Sequence, residues 1–393
     1  MNNFTYYTPT KVVFGKGAEE QVGALVKEQG CKKVLVHFGG QSAKKSGLLG
    51  RVCESLAAAG VDYVSLGGVV PNPRLSLVYE GIELCRREGV DFILAVGGGS
   101  VIDSSKAIGY GVACGGDVWD FYDLKRTPQA CLPVGAVLTI AAAGSEMSDS
   151  SVITKDEGGI KRGVNSPYCR CRFSVLNPEL TYTLPAYQTS CGVTDILMHT
   201  MERYFVAGHT MEMTDAIAEG LIRTVIHNGG ILMKEPQNYQ ARAEVMWAGS
   251  LSHNGLTGCG AGGDWATHQL EHELSGMFDV AHGAGLAAVW GTWARYVYKE
   301  KPERFARFAR QIFGITDSTE QGALMGIERM EQVFHSLHMP VNIPELLGRR
   351  LTEAELDELA AKCAHHDRQI GGFKKLGRNE IREIYALANV TLN

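Results

Sequence analysis

The stretch "DFILAVGGGSVIDSSKAIG" (residues 91–109) decides the fold, because it contains a strand signal, a glycine turn and a helix signal in that order. Five apolar residues lead into Gly97, Gly98 and Gly99, and the helix signal follows without a spacer. A strand that ends in glycines and continues at once into a helix is typical of parallel sheets with helices on both faces. The stretch therefore predicts one unit of a doubly wound α/β domain.

The glycine turn also has the features of an anion site. Glycines let the backbone come close to a bulky anion, and the first turn of the following helix offers N–H donors to a phosphate. Ser100 and Asp103 have the spacing of a capping box at the start of that helix. The turn lacks the strict G-x-G-x-x-G pattern and is not a P-loop, so a purely structural strand–helix turn is the alternative.

Neighbouring segments repeat the alternation of strand and helix. Short β-branched or apolar runs at 32–40, 61–69 and 131–140 predict three more strands, and residues 46–59 and 71–89 predict helices between strands. After "LNPELTYTLP" (176–185) the pattern changes to amphipathic helices, which continue from Gln188 onward. The sequence thus predicts an N-terminal Rossmann-like parallel-sheet α/β domain (residues 1–185) and an all-α helical C-terminal domain (residues 186–393).

The composition argues against several classes of protein. The chain has 393 residues, of which 45% are hydrophobic and 21% charged, as expected of a globular enzyme. Its formal net charge is −5 and it has no long basic run, so we expect no nucleic-acid partner. Its apolar runs are too short and too rich in glycine to cross a bilayer, and the N-terminal segment lacks the apolar core of a signal peptide. The ten scattered cysteines are best explained as reduced thiols, which favours a cytoplasmic protein.

A second glycine cluster, "HFGGQSAKKSG" (residues 37–47), follows the first predicted strand. In dinucleotide-binding folds an acidic residue near this position holds the ribose 2′-hydroxyl of NAD. Here Gly39 and Gly40 are followed by Ser42, Lys44 and Lys45, which would suit a 2′-phosphate better than a carboxylate would. The cluster therefore favours NADP(H) over NAD(H); the alternative is a solvent loop whose lysines contact nothing.

Five residues of the second half have the spacing of a metal site. Asp195 and His199 are four residues apart, as are His268 and His272, so each pair projects from one face of a helix. His282 lies in a predicted turn beyond the second pair. One carboxylate with several imidazoles suits a divalent zinc, iron or similar ion. Each histidine alone, and His272 above all, is equally consistent with a surface or hydrogen-bonded core residue. The segment "HQLEH" also lacks the H-E-x-x-H pattern of zinc peptidases.

Taken together, several motifs resemble the iron-containing, or group III, alcohol dehydrogenases. They are "GGGSVIDSSKAI", "AAAGSEMS", "LNPELTYTLP", "GVTDILMHTMERYF" and "DWATHQLEHELSGMFDVAHGAGLA". The resemblance covers nearly the whole chain, and within the family it is closest to the NADPH-dependent aldehyde reductases and butanol dehydrogenases. It implies a dehydroquinate synthase-like fold, reversible hydride transfer between NADP(H) and short aldehydes or primary alcohols, and often a homodimer.

The resemblance also implies roles for individual residues. The metal ligands would be Asp195, His199, His268 and His282, and the ion Fe²⁺ or Zn²⁺, with Ni²⁺ or Co²⁺ as further possibilities. His272 would lie near the nicotinamide and relay a proton as the catalytic residue. The residues expected to bind the cofactor are Gly39, Gly40, Ser42, Asn72, Gly97, Gly98, Gly99, Ser100, Asp103, Thr139, Ser148 and Lys161.

The sequence departs from the family pattern at one place, and two other functions are alternatives to this one. "TIAAAGSEMS" lacks the second threonine of the family's usual run, which leaves Thr139 as the safer cofactor residue. One rival is a lyase of the dehydroquinate-synthase kind, but its phosphate pocket would need several basic residues, and the metal helices are poor in Lys and Arg. The other rival is a metal-free binding or scaffold protein, against which the intact set of Asp and His residues argues.

Overall fold

The computed structural model describes residues 2–390, which divide into two compact units. One unit spans Tyr7–Leu184, and the other runs from Pro185 onward and includes the residues before Tyr7.

The first unit is built on a six-stranded parallel sheet with the strand order β1-β8-β5-β4-β2-β3. Its central strands are buried on both faces, which explains why their sequences are nearly continuous apolar runs. The predicted parallel sheet is confirmed. A separate antiparallel hairpin is formed by β6 and β7. The strands are β1 (Lys11–Phe14), β2 (Lys33–Phe38), β3 (Asp62–Leu66), β4 (Phe92–Gly97), β5 (Val134–Leu138), β6 (Ser150–Lys155), β7 (Ile160–Asn165) and β8 (Phe173–Leu176).

The helices of this unit begin later than the sequence predicted. The predicted helix over 46–59 starts only at Leu48, because Gly47 has a left-handed backbone (φ 74°) that interrupts it. The predicted helix over 71–89 starts at Leu75 and ends at Glu88, where Gly89 (φ 66°) supplies the left-handed cap. The helices are α1 (Val22–Glu28), α2 (Ser42–Lys45), α3 (Leu48–Ala58), α4 (Leu75–Glu88), α5 (Gly99–Cys114) and α6 (Trp119–Tyr122).

A buried lysine on α5 holds the segment that follows β5. The ammonium of Lys106 donates to the backbone carbonyls of Ser145 (2.7 Å), Ser148 (3.1 Å) and Ser150 (2.8 Å). The three N–H groups of the ammonium thus each have a carbonyl acceptor, which offsets the cost of burying this charge away from solvent. Residues 145–150 are therefore anchored to the helix that begins in the glycine turn.

The second unit is helical throughout its regular structure among the described residues, as the sequence predicted. Its core contains stacked aromatic rings such as Phe205 and Phe305, whose centroids are 4.3 Å apart. No helix within residues 2–390 combines the length and the apolar character needed to cross a membrane. The helices are α7 (Ala186–Tyr204), α8 (Glu212–Leu232), α9 (Tyr239–His253), α10 (Ala266–Phe278), α11 (His282–Val297), α12 (Pro302–Phe313), α13 (Thr319–Ser336), α14 (Ile343–Leu347), α15 (Glu353–Cys363) and α16 (Arg378–Ala388).

Candidate functional site

Helices α7, α10 and α11 bring imidazole nitrogens around one carboxylate oxygen of Asp195. On α7, Nδ1 of His199 lies 3.3 Å from Asp195 Oδ1. Nε2 of His268 on α10 lies 3.8 Å from the same oxygen, and Nε2 of His282 lies 3.7 Å from it. His282 is the first residue of α11 rather than part of a turn, so the sequence prediction for its local structure was wrong. The four predicted metal ligands thus lie together.

The unsatisfied atoms at this cluster fit a bound cation. Asp195 Oδ1, His199 Nδ1 and His268 Nε2 are buried, and none has a hydrogen-bond partner within residues 2–390. Buried polar atoms without partners are costly, so a native protein rarely gathers three of them. Ligand atoms of Asp195, His268 and His282 lie within 4.8 Å of one another. Bonds of about 2.1 Å to a tetrahedral ion would place ligand atoms roughly 3.4 Å apart, which is close to the distances around Asp195.

The surroundings of Asp195 and His199 favour the protonation states that metal binding requires. Burial alone would raise the pKa of Asp195, but His282 and His268 outweigh it, so the pKa is lowered and the carboxylate stays ionised. Burial, followed by the charges of His268 and Arg203, lowers the pKa of His199 well below its usual value, which keeps that ring neutral. Burial lowers the pKa of His268, but the carboxylates of Asp195 and Glu202 outweigh it and raise the pKa to about 9, so a cation bound at this ring would displace a proton.

Two glycines explain how α11 approaches its neighbours closely enough to bring His282 to the cluster. A Cβ on Gly283 would lie 2.2 Å from the backbone oxygen of Cys191 on α7. A Cβ on Gly285 would lie 2.8 Å from Cγ of Glu271 on α10. Only glycine fits at such distances, so the sequence "HGAG" lets the first turn of α11 pack directly against both helices.

Three further residues at the cluster were not predicted from the sequence. Glu202 and Glu271 are buried carboxylates that accept hydrogen bonds from Nδ1 of His268 and of His282, respectively. His253, the last residue of α9, packs its ring against His199 with 4.0 Å between the ring centroids. The only sequence signal for Glu202 is its position one helical turn after His199.

His272 and Trp265 border the cluster. The half-buried ring of His272 lies 5.8 Å from the ring of His282, and Glu271, His272 and His282 form a second group with ligand atoms within 4.8 Å. The indole of Trp265 lies 5.2 Å from the ring of His268. The role of His272 as a proton relay stays a prediction.

In the first unit, several predicted cofactor residues follow the carboxyl ends of adjacent strands. Gly39 and Gly40 follow β2, Gly97 ends β4, and Thr139 follows β5; these three strands are neighbours in the sheet. The backbone N–H of Thr139 donates to Gly97 O at 3.0 Å. In open parallel sheets ligands bind at this edge. Ser42 is the first residue of the short helix α2 and is exposed.

The predicted capping box at the glycine turn was wrong. The N-cap of α5 is Gly98, which has no side chain to cap with, and Ser100 lies inside the helix. Asp103 instead accepts hydrogen bonds from the backbone N–H of Val152 (3.0 Å) and from the hydroxyl of Ser145. Asp103 thus helps to hold the segment after β5 in place, and its role as a direct cofactor ligand stays a prediction.

The remaining predicted cofactor residues are buried. Asn72 has a left-handed backbone (φ 54°) in the segment after β3. Ser148 is fully buried, with its hydroxyl 3.3 Å from Nζ of Lys106. Lys161 lies on β7 and is 4% exposed. Their contacts with a nucleotide stay predictions.

Comparisons with known proteins identify the family over nearly the whole chain. The model of the family described as "Iron-containing alcohol dehydrogenase" matches residues 9–178. A second model, "Fe-containing alcohol dehydrogenase family, C-terminal", matches residues 189–389. The chain therefore belongs to the iron-containing alcohol dehydrogenase family, as its motifs predicted.

Individual relatives and a solved structure are similar over nearly their full lengths. The chain is 39% identical to the probable NADH-dependent butanol dehydrogenase 1 of Bacillus subtilis, covering 98% of this chain and 99% of the relative. It is 34% identical to the NADPH-dependent aldehyde reductase YqhD of Escherichia coli, covering 96% of each. The crystal structure of NADH-dependent butanol dehydrogenase A from Thermotoga maritima superimposes with a TM-score of 0.96 at 38% identity and 99% coverage of both chains.

Membership of this family makes the chain an enzyme of the alcohol dehydrogenase class. It also implies a nicotinamide cofactor and a metal ion. The rival assignment to a lyase of the dehydroquinate-synthase kind has no better support among these relatives.

Proposed function

We propose that the enzyme reduces short aliphatic aldehydes to primary alcohols, reversibly, with NAD(P)H and one divalent ion bound by Asp195, His199, His268 and His282. The observation that carries the proposal is the convergence of buried, unpartnered nitrogen and oxygen atoms around Asp195 Oδ1. The relatives are named as butanol dehydrogenases and an aldehyde reductase, which supports the substrate class.

The charge of the ligand set suits carbonyl chemistry. Asp195 contributes one negative charge, and the three imidazoles contribute none when neutral. The four ligands themselves therefore bring only one negative charge to a divalent ion. When bound, the ion supplies Lewis-acid polarisation of the substrate carbonyl, and the reduced nicotinamide supplies the hydride.

We infer that His272 delivers the proton that balances the hydride. Hydride addition to the carbonyl carbon must be matched by one proton on the oxygen, and His272 is half-buried beside the ligand His282. We expect His272→Asn to lower kcat about 100-fold, while the metal content stays that of the wild type. Loss of metal together with activity would instead identify His272 as a ligand.

Apolar side chains at the two ends of α10, the helix that carries His268 and His272, favour a short aliphatic substrate. Trp265 packs against His268, and Met277 and Phe278 lie half-buried in the last turn of α10. These side chains offer apolar surface for an alkyl chain. Activity should therefore rise from acetaldehyde to butanal in kcat/KM.

We further propose that NADP(H) is favoured over NAD(H). No acidic side chain stands at Gly39, Gly40 or Ser42, and Lys44 and Lys45 are exposed on the adjoining helix α2. Relatives named as NADH-dependent and as NADPH-dependent both exist, so the preference needs a direct test.

A carboxylate added at Gly39 provides that test. A Cβ there would meet Val69 O at 3.4 Å, an ordinary contact, so the fold should tolerate Gly39→Asp. The added charge should lower kcat/KM for NADPH at least tenfold and spare NADH, because it repels a 2′-phosphate. Gly39→Asn, which adds a side chain of similar size without the charge, is the matched control. A wild-type enzyme that prefers NADH would overturn this preference without affecting the proposed reaction.

The reaction itself is tested by following the loss of NADPH and NADH absorbance with a panel of aldehydes including butanal. A chelator should abolish turnover, and Fe²⁺ or Zn²⁺, or else Ni²⁺ or Co²⁺, should restore it. If no aldehyde consumes either cofactor under these conditions, the proposed function is wrong. Turnover that resists chelation would leave the metal assignment wrong.

We also propose a cytoplasmic homodimer. All ten cysteines are free thiols, which suits a reducing compartment, and the resemblance to the family suggests two subunits. Cell fractionation tests the first statement. Light scattering coupled to size exclusion tests the second, since a dimer would have twice the chain mass of 42.6 kDa.

A further inference from the structure

We propose that Glu202 and Glu271 are positioning residues that fix the tautomer and the orientation of two metal ligands. Each carboxylate accepts the Nδ1–H of one histidine, so that Nε2 of His268 and of His282 faces the metal position. The inference rests on the proposed metal set, and it assigns a function to two carboxylates outside that set.

The side chain of Glu202 accepts hydrogen bonds from both the backbone and the ring of His268. Oε1 accepts hydrogen bonds from the backbone N–H and from Nδ1 of His268, each at 3.0 Å. Oε2 accepts from the backbone N–H of Trp265 at 2.6 Å. Trp265 is the N-cap of α10 and has no side-chain cap of its own, so Glu202, reaching across from α7, also satisfies free N–H groups at the start of that helix.

Glu271 holds His282 from the adjacent helix. Its Oε2 accepts from Nδ1 of His282, and its Oε1 accepts from the hydroxyl of Ser275 one turn along α10. The carboxylate is fully buried. Gly285 lies over it so closely that a Cβ would be 3.0 Å from Oε1, which confines the side chain to this position.

The chemistry of imidazole links these contacts to metal binding. A neutral imidazole has one N–H and one lone pair, so donation from Nδ1 leaves the lone pair on Nε2. The Nε2 atoms are those found 3.8 and 3.7 Å from Asp195 Oδ1. A carboxylate partner also makes the imidazole a stronger donor to a cation, and loss of such partners weakens metal sites.

Three buried carboxylates near the histidines are consistent with a cation at this cluster. Asp195, Glu202 and Glu271 are three buried carboxylates that all contact the same group of histidines. Buried charges are costly unless compensated, and a divalent ion at the histidines would compensate most of this excess.

The test compares metal affinity in Glu271→Gln and Glu271→Leu with that of the wild type. The probe is Co²⁺ or Zn²⁺ added to metal-free protein against a competing chelator, and the visible spectrum of the Co²⁺ form reports the ligand geometry. The amide oxygen of Gln still accepts from Nδ1, whereas Leu cannot. We expect affinity to fall about tenfold in the Gln variant and about 100-fold or more in the Leu variant, with a changed Co²⁺ spectrum in the latter. Glu202→Gln should lose a similar factor and also some stability, because its amide N–H₂ would face the N–H of Trp265.

Glu331→Gln is the matched control. Glu331 is also a buried carboxylate of the helical unit, but it pairs with Arg295 on α11 and contacts none of the predicted ligands in the structure. This variant should lose stability and keep wild-type metal affinity. Circular dichroism and a denaturation curve for every variant separate a loss of fold from a loss of metal.

Three results would overturn the inference. The first is wild-type metal affinity in folded Glu271→Leu, and the second is an equal loss in Glu271→Gln and Glu271→Leu. The third is a loss of affinity in the control Glu331→Gln that matches theirs. These outcomes differ from failure of the proposed function, in which the wild-type protein itself would bind no metal or reduce no aldehyde.

Discussion

Replacing Gly283 with alanine should weaken metal binding, even though Gly283 is not itself one of the proposed ligands. The new Cβ would lie 2.2 Å from the backbone oxygen of Cys191 and 2.8 Å from its carbonyl carbon. Real Cβ atoms essentially never approach another atom closer than 3.0 Å, so α11 and α7 must separate by at least the difference, 3.0 − 2.2 = 0.8 Å. Backbone atoms form the obstacle, so no side-chain rotation relieves it.

The required displacement exceeds what a metal site tolerates. Cys191 lies one turn before Asp195 on α7, and Gly283 directly follows His282, so the separation moves two ligands apart. Ligand distances in functional metal sites hold to within about 0.2 Å. We therefore expect metal affinity to fall by at least 10–100-fold, and overpacking to cost about 1–3 kcal/mol of folding free energy.

Chelator competition with Zn²⁺ measures the affinity, and denaturant unfolding of the metal-free protein measures the stability. Gly230→Ala on α8 is the control, because an added Cβ there meets nothing within 4 Å. It should keep wild-type affinity and gain up to about 1 kcal/mol from helix propensity. A Gly283→Ala protein that binds Zn²⁺ within twofold of the wild type would refute the packing argument.

Three other predictions concern the bound metal, the glycine turn and a buried histidine. A metal present at 100 times its dissociation constant should stabilise the fold by about 2.7 kcal/mol, so chelation should lower the melting temperature as well as the activity. A Cβ on Gly98 would lie 2.2 Å from Cγ2 of Ile140; Gly98→Ala should therefore raise the KM for NADPH about tenfold, a cost of ~1.4 kcal/mol, and adding Ile140→Ala should restore it. Burial lowers the pKa of His37, which bonds Leu66 O and the Ser104 hydroxyl, to about 4. As the pH falls below about 6.5, the His37 imidazole takes up a proton in the unfolded chain but not in the folded chain. The free energy of unfolding should therefore fall by about 3 kcal/mol between pH 6.5 and 4. His37→Asn should reduce this pH dependence, as measured by denaturant titrations.

The sequence predicted the four strands that alternate with helix patterns, β2 to β5, and it missed β1, β6, β7 and β8. Strand β1 has four residues and pairs with β8, with Lys11 opposite Phe173, so neither strand has a local partner to reveal it. The hairpin β6–β7 did leave a signal, since Gly158 and Gly159 both have positive φ in the turn between its β-branched strands. The start of α3 depended on the left-handed backbone of Gly47, which spacing alone does not show.

The candidate site, like the fold, could be predicted only in part from the sequence. Four-residue spacing places Asp195 with His199 and predicts that they share a face, but no pattern within one sequence shows that α7, α10 and α11 converge. Only the resemblance to a family supplied that step. The sequence did not reveal Glu202 and Glu271, because a glutamate on a helix is ordinarily solvent-exposed and its burial depends on the packing of neighbouring helices.

The anchoring of residues 145–150 by Lys106 affects how the first unit meets a nucleotide. The conformational freedom of that segment is given up once, during folding, rather than at each binding event. Cofactor association should then carry little entropic penalty from this loop, and hydrogen exchange there should be slow with or without nucleotide. The internal ammonium thus keeps the segment that is proposed to bind the cofactor in one conformation between turnovers.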